Sequence, residues 1–225
     1  MDGTFRPAAL VPAYDAEATV GAVVRGLLRF VPRVLVVDDG SRDGTAAAAA
    51  RNGAQVLALP ENGGKGTAIR AGLARLLSYD VTHVAFVDAD GQHDPADLPA
   101  LLAAARRGED FVVGSRMADP GQSPGYRYRT NEIGGRILSR MTGLEVEDGQ
   151  SGYRVLSAGL LRRLDLNARG YIIETEMLLK AARHLKRVCH VPVRVIYRGP
   201  SHYRPLRDTW VISWGAVYYK VFETD

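Results

Sequence analysis

Four apolar residues, Val84-Ala85-Phe86-Val87, run without a break into Asp88-Ala89-Asp90-Gly91-Gln92-His93-Asp94. A short apolar run with β-branched valines and no polar alternation fits a strand buried on both faces, as in the parallel sheet of an α/β fold. Ligands of such sheets collect beyond the carboxyl ends of the strands, so Asp88 and Asp90 fall where a ligand would sit. Alternation about Ala89 lets both carboxylates turn toward one ion, and Gln92 adds a neutral oxygen. That set suits Mg²⁺ or Mn²⁺, which complete their shells with water and phosphate. Asp, Gly and Gln also end strands for backbone reasons alone, so the rest of the chain has to decide. A phosphatase loop of the Asp-x-Asp-Gly type normally opens its chain, whereas strand-like runs precede this one. The EF-hand pattern fails because Gly91 and Gln92 stand where it needs an acid and its glycine comes later.

The other apolar runs end in comparable chemistry. Ala8-Ala9-Leu10-Val11 stops at Pro12 and leads through Tyr14, Asp15 and Glu17 into a helical pattern of Val20, Val23, Val24, Leu27 and Leu28. A dinucleotide-binding turn would need Gly-x-Gly-x-x-Gly there, which disfavours a hydride-transfer enzyme. Val34-Leu35-Val36-Val37 ends in Asp38-Asp39-Gly40-Ser41-Arg42-Asp43-Gly44-Thr45, where Asp43 or Thr45 suits the cap of the next helix. Gln55 to Leu59 is followed by Asn62-Gly63-Gly64-Lys65-Gly66 and a helix from Thr67 to Leu77. The spacing is not that of a P-loop, but glycines at a helix start beside a lysine can bind phosphate. Phe111-Val112-Val113 runs into Gly114-Ser115-Arg116, a basic strand end. Acids, a glycine-lysine loop and an arginine at successive strand ends make a site for a phosphorylated, base-bearing ligand with a metal.

These motifs carry a resemblance. Pro12-Ala-Tyr-Asp, Val37-Asp-Asp-Gly-Ser-Arg-Asp-Gly-Thr, Asn62-Gly-Gly-Lys-Gly, Asp88-Ala-Asp-Gly-Gln-His, Gly114-Ser-Arg and Asp148-Gly-Gln-Ser-Gly-Tyr-Arg, in this order, resemble the inverting family 2 glycosyltransferases of GT-A fold. Within them the chain is most similar to the dolichyl- and polyprenyl-phosphate sugar synthases, over about Leu10 to Arg207. The resemblance implies an α/β fold with a mostly parallel open sheet flanked by helices. It implies one glycosyltransferase domain over 1–225, with 1–116 holding the nucleotide sugar, 117–203 serving the acceptor and 204–225 an amphipathic helix. It places Pro12, Tyr14 and Glu17 around the nucleoside, Asp38 or Asp39 on the base or ribose, Lys65 and Ala89 by the nucleotide, and Asp88, Asp90 and Gln92 on the divalent cation. Asp90, Arg116 and Asp148 are the expected catalytic residues, with Asp148 a base or an orienting group near the acceptor. An acceptor phosphate is already ionised, so Arg116, Arg127 and Arg129 matter more to it than a base does. Glu174 or Glu176, at the start of a helix after Tyr171, is expected in the acceptor site, joined by His202 and Arg204 from a basic, aromatic loop. The implied partners are a UDP- or GDP-linked sugar and a polyprenyl phosphate or a small soluble acceptor, with no nucleic acid and with a homodimer conceivable.

The remainder bears on location. Cys189 stands alone, which excludes an internal disulfide, and no apolar run reaches the ~20 residues of a membrane helix, so a cytoplasmic protein is expected. The formal net charge is +4, and from Arg183 to Lys220 eight Lys or Arg face one acid, Asp208. Trp210, Trp214, Val217 and Val221 fall on one helical stripe widened by Val211, Ile212, Tyr218, Tyr219 and Phe222. About 16 helical residues span ~24 Å, enough to lie in a membrane interface but not to cross it. Attachment to the cytoplasmic membrane face is the expectation, against packing on the protein itself or a second subunit.

Overall fold

The computed structural model describes residues 5–118 and 125–196. Seven strands form one sheet: β1 (Pro7–Ala13), β2 (Val34–Asp38), β3 (Gln55–Ala58), β4 (His83–Phe86), β5 (Phe111–Ser115), β6 (Arg154–Ser157) and β7 (Cys189–Pro192), in the order β3-β2-β1-β4-β6-β5-β7. All neighbours are parallel except β6, which runs antiparallel to both β4 and β5. Helices α1 (Glu17–Leu28), α2 (Thr45–Arg51), α3 (Lys65–Leu76), α4 (Leu98–Arg106), α5 (Gly125–Thr142), α6 (Ala158–Leu161) and α7 (Ile173–Ala182) fill the connections. Among the described residues no helix is long and apolar enough to cross a membrane.

The apolar runs act as expected. Ala8 and Leu10 of β1 and Val84 and Phe86 of β4 belong to the core on one face of the sheet, while Ala9, Val11, Ala85 and Val87 belong to the core on the other. A strand buried on both sides has no use for a polar alternation. Leu10 is fully buried, and its truncation to Ala would cost about 2–5 kcal/mol. Close packing of α3 on β1 depends on Gly72, where an added Cβ would lie 2.2 Å from Leu10 Cδ1.

The chain leaves β1 for β2 and β3 on one side and returns to β4 on the other. The loops after β1 and β4 therefore diverge, and that divergence opens the crevice in which open α/β sheets bind ligands. Because β6 is antiparallel, its first residue lies at the same end of the sheet as the ends of β4 and β5: Arg154 is in register with Phe86 and with Val113. The loop Asp148–Tyr153 is thereby delivered to the crevice.

Some elements depart from the sequence expectation. Strand β6 is not signalled by apolar periodicity, since four residues beginning with a charged one make a weak pattern. Helix α3 begins at Lys65 instead of Thr67. Strand β7, Cys189–Pro192, forms an edge of the sheet.

Candidate active site

The loops after β1 and β2 are buttoned together by their polar side chains. Asp15 donates its amide to Ser41 Oγ at 2.9 Å and accepts the Arg42 amide on Oδ1 at 2.8 Å. Glu17 accepts the Gly44 amide at 2.9 Å, while its own amide donates to Asp43 Oδ2 at 3.0 Å. Asp15 sits at φ 46, a left-handed conformation that a short acidic side chain tolerates. Glu17, expected at the nucleoside, is therefore engaged in holding two loops in register. Tyr14 projects from the same turn at 38% exposure, beside buried Pro12. Of the acid pair after β2, Asp38 accepts the Ser41 amide at 3.0 Å and its hydroxyl, and Asp39 accepts the amides of Gly63 and Gly64 at 3.0 and 2.8 Å. Asp39 thus builds the glycine loop, and Asp38 lies nearer the crevice floor at the last position of β2.

That glycine loop is not the open phosphate cradle that its composition implies. Gly63 and Gly64 give their amides to Asp39, and the amides of Gly66 and Thr67 donate to the Arg169 carbonyl at 2.6 and 3.3 Å. Gly66 is glycine because a Cβ there would lie 2.1 Å from the Ala168 carbonyl oxygen. What the loop presents is Lys65. Its Nζ lies 2.5 Å from Asp88 Oδ1 and 2.5 Å from Glu174 Oε1. Burial works to lower the Lys65 ammonium, but the two carboxylates more than reverse it, so the proton is held more tightly than in an ordinary lysine. Burial likewise works to raise the Asp88 carboxyl, and Lys65 outweighs it, keeping Asp88 ionised below the usual carboxylate range.

Asp88 lies two residues beyond the end of β4. Gly152, from the loop before β6, packs its backbone against this carboxylate: an added Cβ would lie 2.3 Å from Asp88 Oδ2. Asp90 is exposed, and its Oδ1 accepts the Gln92 amide at 3.0 Å around Gly91 at φ 72. Among the described residues no three His, Cys, Asp or Glu side chains converge as a preformed metal cage. Two carboxylates and one amide on a five-residue loop instead fit a cation that takes part of its shell from water and phosphate, which is the habit of Mg²⁺ and Mn²⁺. The loop is clamped from behind. His93 bridges Val195, the Ile196 amide donates to the Gln92 carbonyl at 2.8 Å, and Arg194 pairs with Asp94 and Asp97, each at 3.0 Å. His93 is buried against the Tyr153 ring with no hydrogen-bond partner at Nδ1. Burial depresses its pKa to about 4, so the imidazole is neutral.

On the far wall, Arg116 at the end of β5 meets Asp148. The Arg116 amide, Nε and Nη2 donate to the fully buried Asp148 carboxylate at 3.1, 2.7 and 2.8 Å. Burial works to raise the Asp148 carboxyl, and the Arg116 charge with its three hydrogen bonds reverses that, so the acid lies below its ordinary value. A carboxylate so held is a poor proton acceptor and a good positioning group. Arg154, 1% exposed, donates to the carbonyls of Ser151, Glu174 and Gly149 at 2.7, 2.6 and 2.7 Å. One buried arginine thereby ties the Asp148 loop to the start of α7. It ends a motif recognised in the sequence, but only its position opening a buried strand shows that it must be surrounded by acceptors. Glu174 and Glu176 divide: Glu176 is spent on the amides of Asn167 and Ala168, whereas Glu174 Oε1 reaches Lys65 and its Oε2 is buried without a hydrogen-bond partner.

The crevice therefore unites Pro12, Lys65, Asp88, Gly152, Arg154 and Glu174, and the charge of Arg116 reaches Asp88 from the end of β5. Arg129 is exposed on α5. The side chain of Arg127, together with His202, Arg204 and the whole aromatic stripe of the C-terminal segment, lies outside the described residues.

Known proteins resemble this chain in sequence and in fold. Residues 8–165 match the family described as glycosyl transferase family 2. An undecaprenyl-phosphate mannosyltransferase of Micrococcus luteus is 34% identical over 207 residues, covering 86% of this chain and 85% of that protein. A UDP-N-acetylglucosamine–dolichyl-phosphate N-acetylglucosaminyltransferase of Methanococcus voltae is 28% identical, covering 94% and 93%. Among solved structures, glucosyl-3-phosphoglycerate synthase of Mycobacterium tuberculosis, in complex with Mn²⁺, UDP and glucosyl-3-phosphoglycerate, superposes with a TM-score of 0.74 at 23% identity over 95% of this chain and 77% of that one.

Proposed function

Since the chain belongs to glycosyl transferase family 2 and is a glycosyltransferase, we propose that it moves a sugar from a UDP- or GDP-linked donor to a polyprenyl phosphate, with Mg²⁺ or Mn²⁺ and with inversion at the anomeric carbon. The observation that carries this reading is the crevice between β1 and β4, where Lys65 and the Asp88–Gln92 loop face the Arg116–Asp148 pair. The acceptor class rests on the relatives, two of which act on polyprenyl-type phosphates by their names and align with this chain over most of their length.

Each wall has a task. Pro12 and Tyr14 flank the nucleoside, Tyr14 offering an exposed ring to the base, and Asp38 faces the ribose. Asp88, Asp90 and Gln92 hold the cation, which when bound neutralises charge developing on the diphosphate as the sugar C1–O bond breaks. Lys65 adds a second positive charge, fixed by Glu174, on the same side. Arg116 is held rigid by Asp148 and binds the acceptor phosphate, aiming one oxygen at C1 from the face opposite the diphosphate. That phosphate is an anion already, so no proton has to be removed, and Asp148 acts by orienting Arg116. Arg127, Arg129, His202 and Arg204 supply further cationic or polar contacts toward the lipid phosphate.

A donor panel tests this: UDP- and GDP-sugars with Mn²⁺ or Mg²⁺, scored for transfer to a short polyprenyl phosphate and to soluble alcohols. The expected result is a metal-dependent, organic-extractable sugar phosphate from one donor. Transfer to a soluble hydroxyl with none to the lipid phosphate would replace the lipid reading.

A further inference from the structure

We propose that Lys65 is a built-in competitor for the cation at Asp88, so that the metal enters only as the nucleoside diphosphate draws Lys65 away. This inference rests on the cation site proposed above and assigns its order of binding.

Asp88 has two oxygens, each with a close neighbour, and its side chain keeps 28% exposure. Oδ2 faces the Gly152 backbone so closely that a single Cβ there would come within 2.3 Å. Oδ1 faces Lys65 Nζ at 2.5 Å. A divalent ion approaching this carboxylate meets the ammonium at contact distance. Lys65 is not a surface lysine that can swing into water, since its side chain is 13% exposed and a second carboxylate, Glu174 at 8%, holds it from behind. Repulsion between the two cations is little screened there. The first turn of α3 offers an arriving phosphate no competing donors at Gly66 and Thr67, whose amides are bound to Arg169. Lys65 is thus the charged group through which the glycine loop can answer a diphosphate.

Glu174 supplies the pivot. Its Oε1 holds the ammonium at 2.5 Å, and its Oε2 is buried with no hydrogen-bond partner. Lys65 can therefore leave Asp88 while keeping a carboxylate oxygen, exchanging Asp88 for a phosphate oxygen of equal charge. Asp88 Oδ1 is then exposed to the cation that the same diphosphate brings. Nucleotide and metal consequently bind with strong positive coupling, and by linkage each tightens the other equally.

The test is titration of MnCl₂ followed by the electron paramagnetic resonance of the free ion, with and without UDP and GDP. The wild-type protein should bind Mn²⁺ at least about tenfold more tightly with its matching nucleotide, a typical allosteric coupling. In Lys65→Met combined with Glu174→Gln, which are close in shape and keep the net charge of the Lys65–Asp88–Glu174 cluster, Mn²⁺ alone should bind about tenfold more tightly than to wild type, and most of the coupling should vanish. Lys65→Arg keeps the charge and should keep the coupling. If the double variant binds Mn²⁺ alone no more tightly than wild type, or retains full coupling, Lys65 is not a competitor and the inference is wrong. If Asp90→Ala binds Mn²⁺ and nucleotide as wild type does, the cation site itself is misplaced and the inference falls with it. An Asp90 variant that fails to bind, beside an unchanged Lys65 variant, refutes the inference alone.

Discussion

Replacing Asp148 with Asn probes the proposed acceptor wall through one pair of residues. In the native protein Arg116 donates three hydrogen bonds to a carboxylate with no solvent exposure. The amide of Asn keeps one acceptor oxygen, and its NH₂ meets either Nε or Nη2 donor to donor. One or two charge-assisted bonds are lost, at about 1.5–3 kcal/mol each, and the guanidinium loses its counter-charge. Breaking a buried pair from one side costs about 3–5 kcal/mol. For a protein of this size that lowers the melting temperature by about 6–20 °C. Below that temperature Arg116 is still charged but no longer aimed, so transfer to polyprenyl phosphate should fall by about 10²–10⁴ with donor affinity nearly unchanged. The assay pairs a melting curve with steady-state transfer and nucleotide titration. Arg116→Met with Asp148→Leu, which removes both charges, should regain most of the lost stability and none of the activity. Recovery of activity in that double variant, or parallel loss of donor binding and transfer in Asp148→Asn, would refute the orienting role.

Asp90→Ala should abolish Mn²⁺-dependent nucleotide binding and leave the melting temperature within about 2 °C, because Asp90 is exposed and packs against no core; calorimetric titration reads the first effect. Gly152→Ala forces a Cβ toward Asp88 Oδ2 and should weaken the same binding at least about tenfold while Gly152→Ala/Asp88→Asn adds no further loss, as expected for two changes acting on one group. His93 has its pKa depressed to about 4 by burial, so the stability it contributes is complete above its unfolded pKa near 6.5 and is lost as pH falls from there toward 4, about 3 kcal/mol in all; a His93→Asn variant should show a flatter stability profile over that window, and an unchanged slope would assign it to other groups. Trp210→Glu should reduce co-sedimentation with anionic liposomes at low salt without lowering the melting temperature, and the opposite pattern would place the aromatic stripe against protein.

How far the residues disclose their own roles differs with the kind of interaction. The buried strands and the carboxylates that end them are readable because burial on two faces demands an apolar run, and the switch from apolar to acidic marks the edge of the sheet at Asp38 and Asp88. Strand β6 is not readable, since its first residue is a buried arginine whose charge is stabilised by the carbonyls of Gly149 and Ser151 in the preceding loop and of Glu174 in α7. The glycine loop misleads for a related reason. Its composition offers amides for phosphate, but Asp39 and the Arg169 carbonyl, 24 and more residues away in sequence, already occupy them. Glu17 and Glu176 are similar cases, acids whose spacing suggests ligand contact and which accept backbone amides instead, Glu176 also pairing with Lys180. Which of two neighbouring acids faces a site depends on tertiary hydrogen bonds that local pattern does not encode, as the separation of Glu174 from Glu176 shows.

The most direct test of the proposed cation and diphosphate site at the β1–β4 crevice is the anomalous diffraction of Mn²⁺ in crystals grown with the matching nucleoside diphosphate. A single strong peak within coordination distance of Asp88, Asp90 and Gln92, bridging to the diphosphate and with Lys65 turned from Asp88 toward a phosphate oxygen, is the predicted result. A nucleotide bound in the crevice with Mn²⁺ bound elsewhere, or with no Mn²⁺ peak and Lys65 still on Asp88, would contradict it.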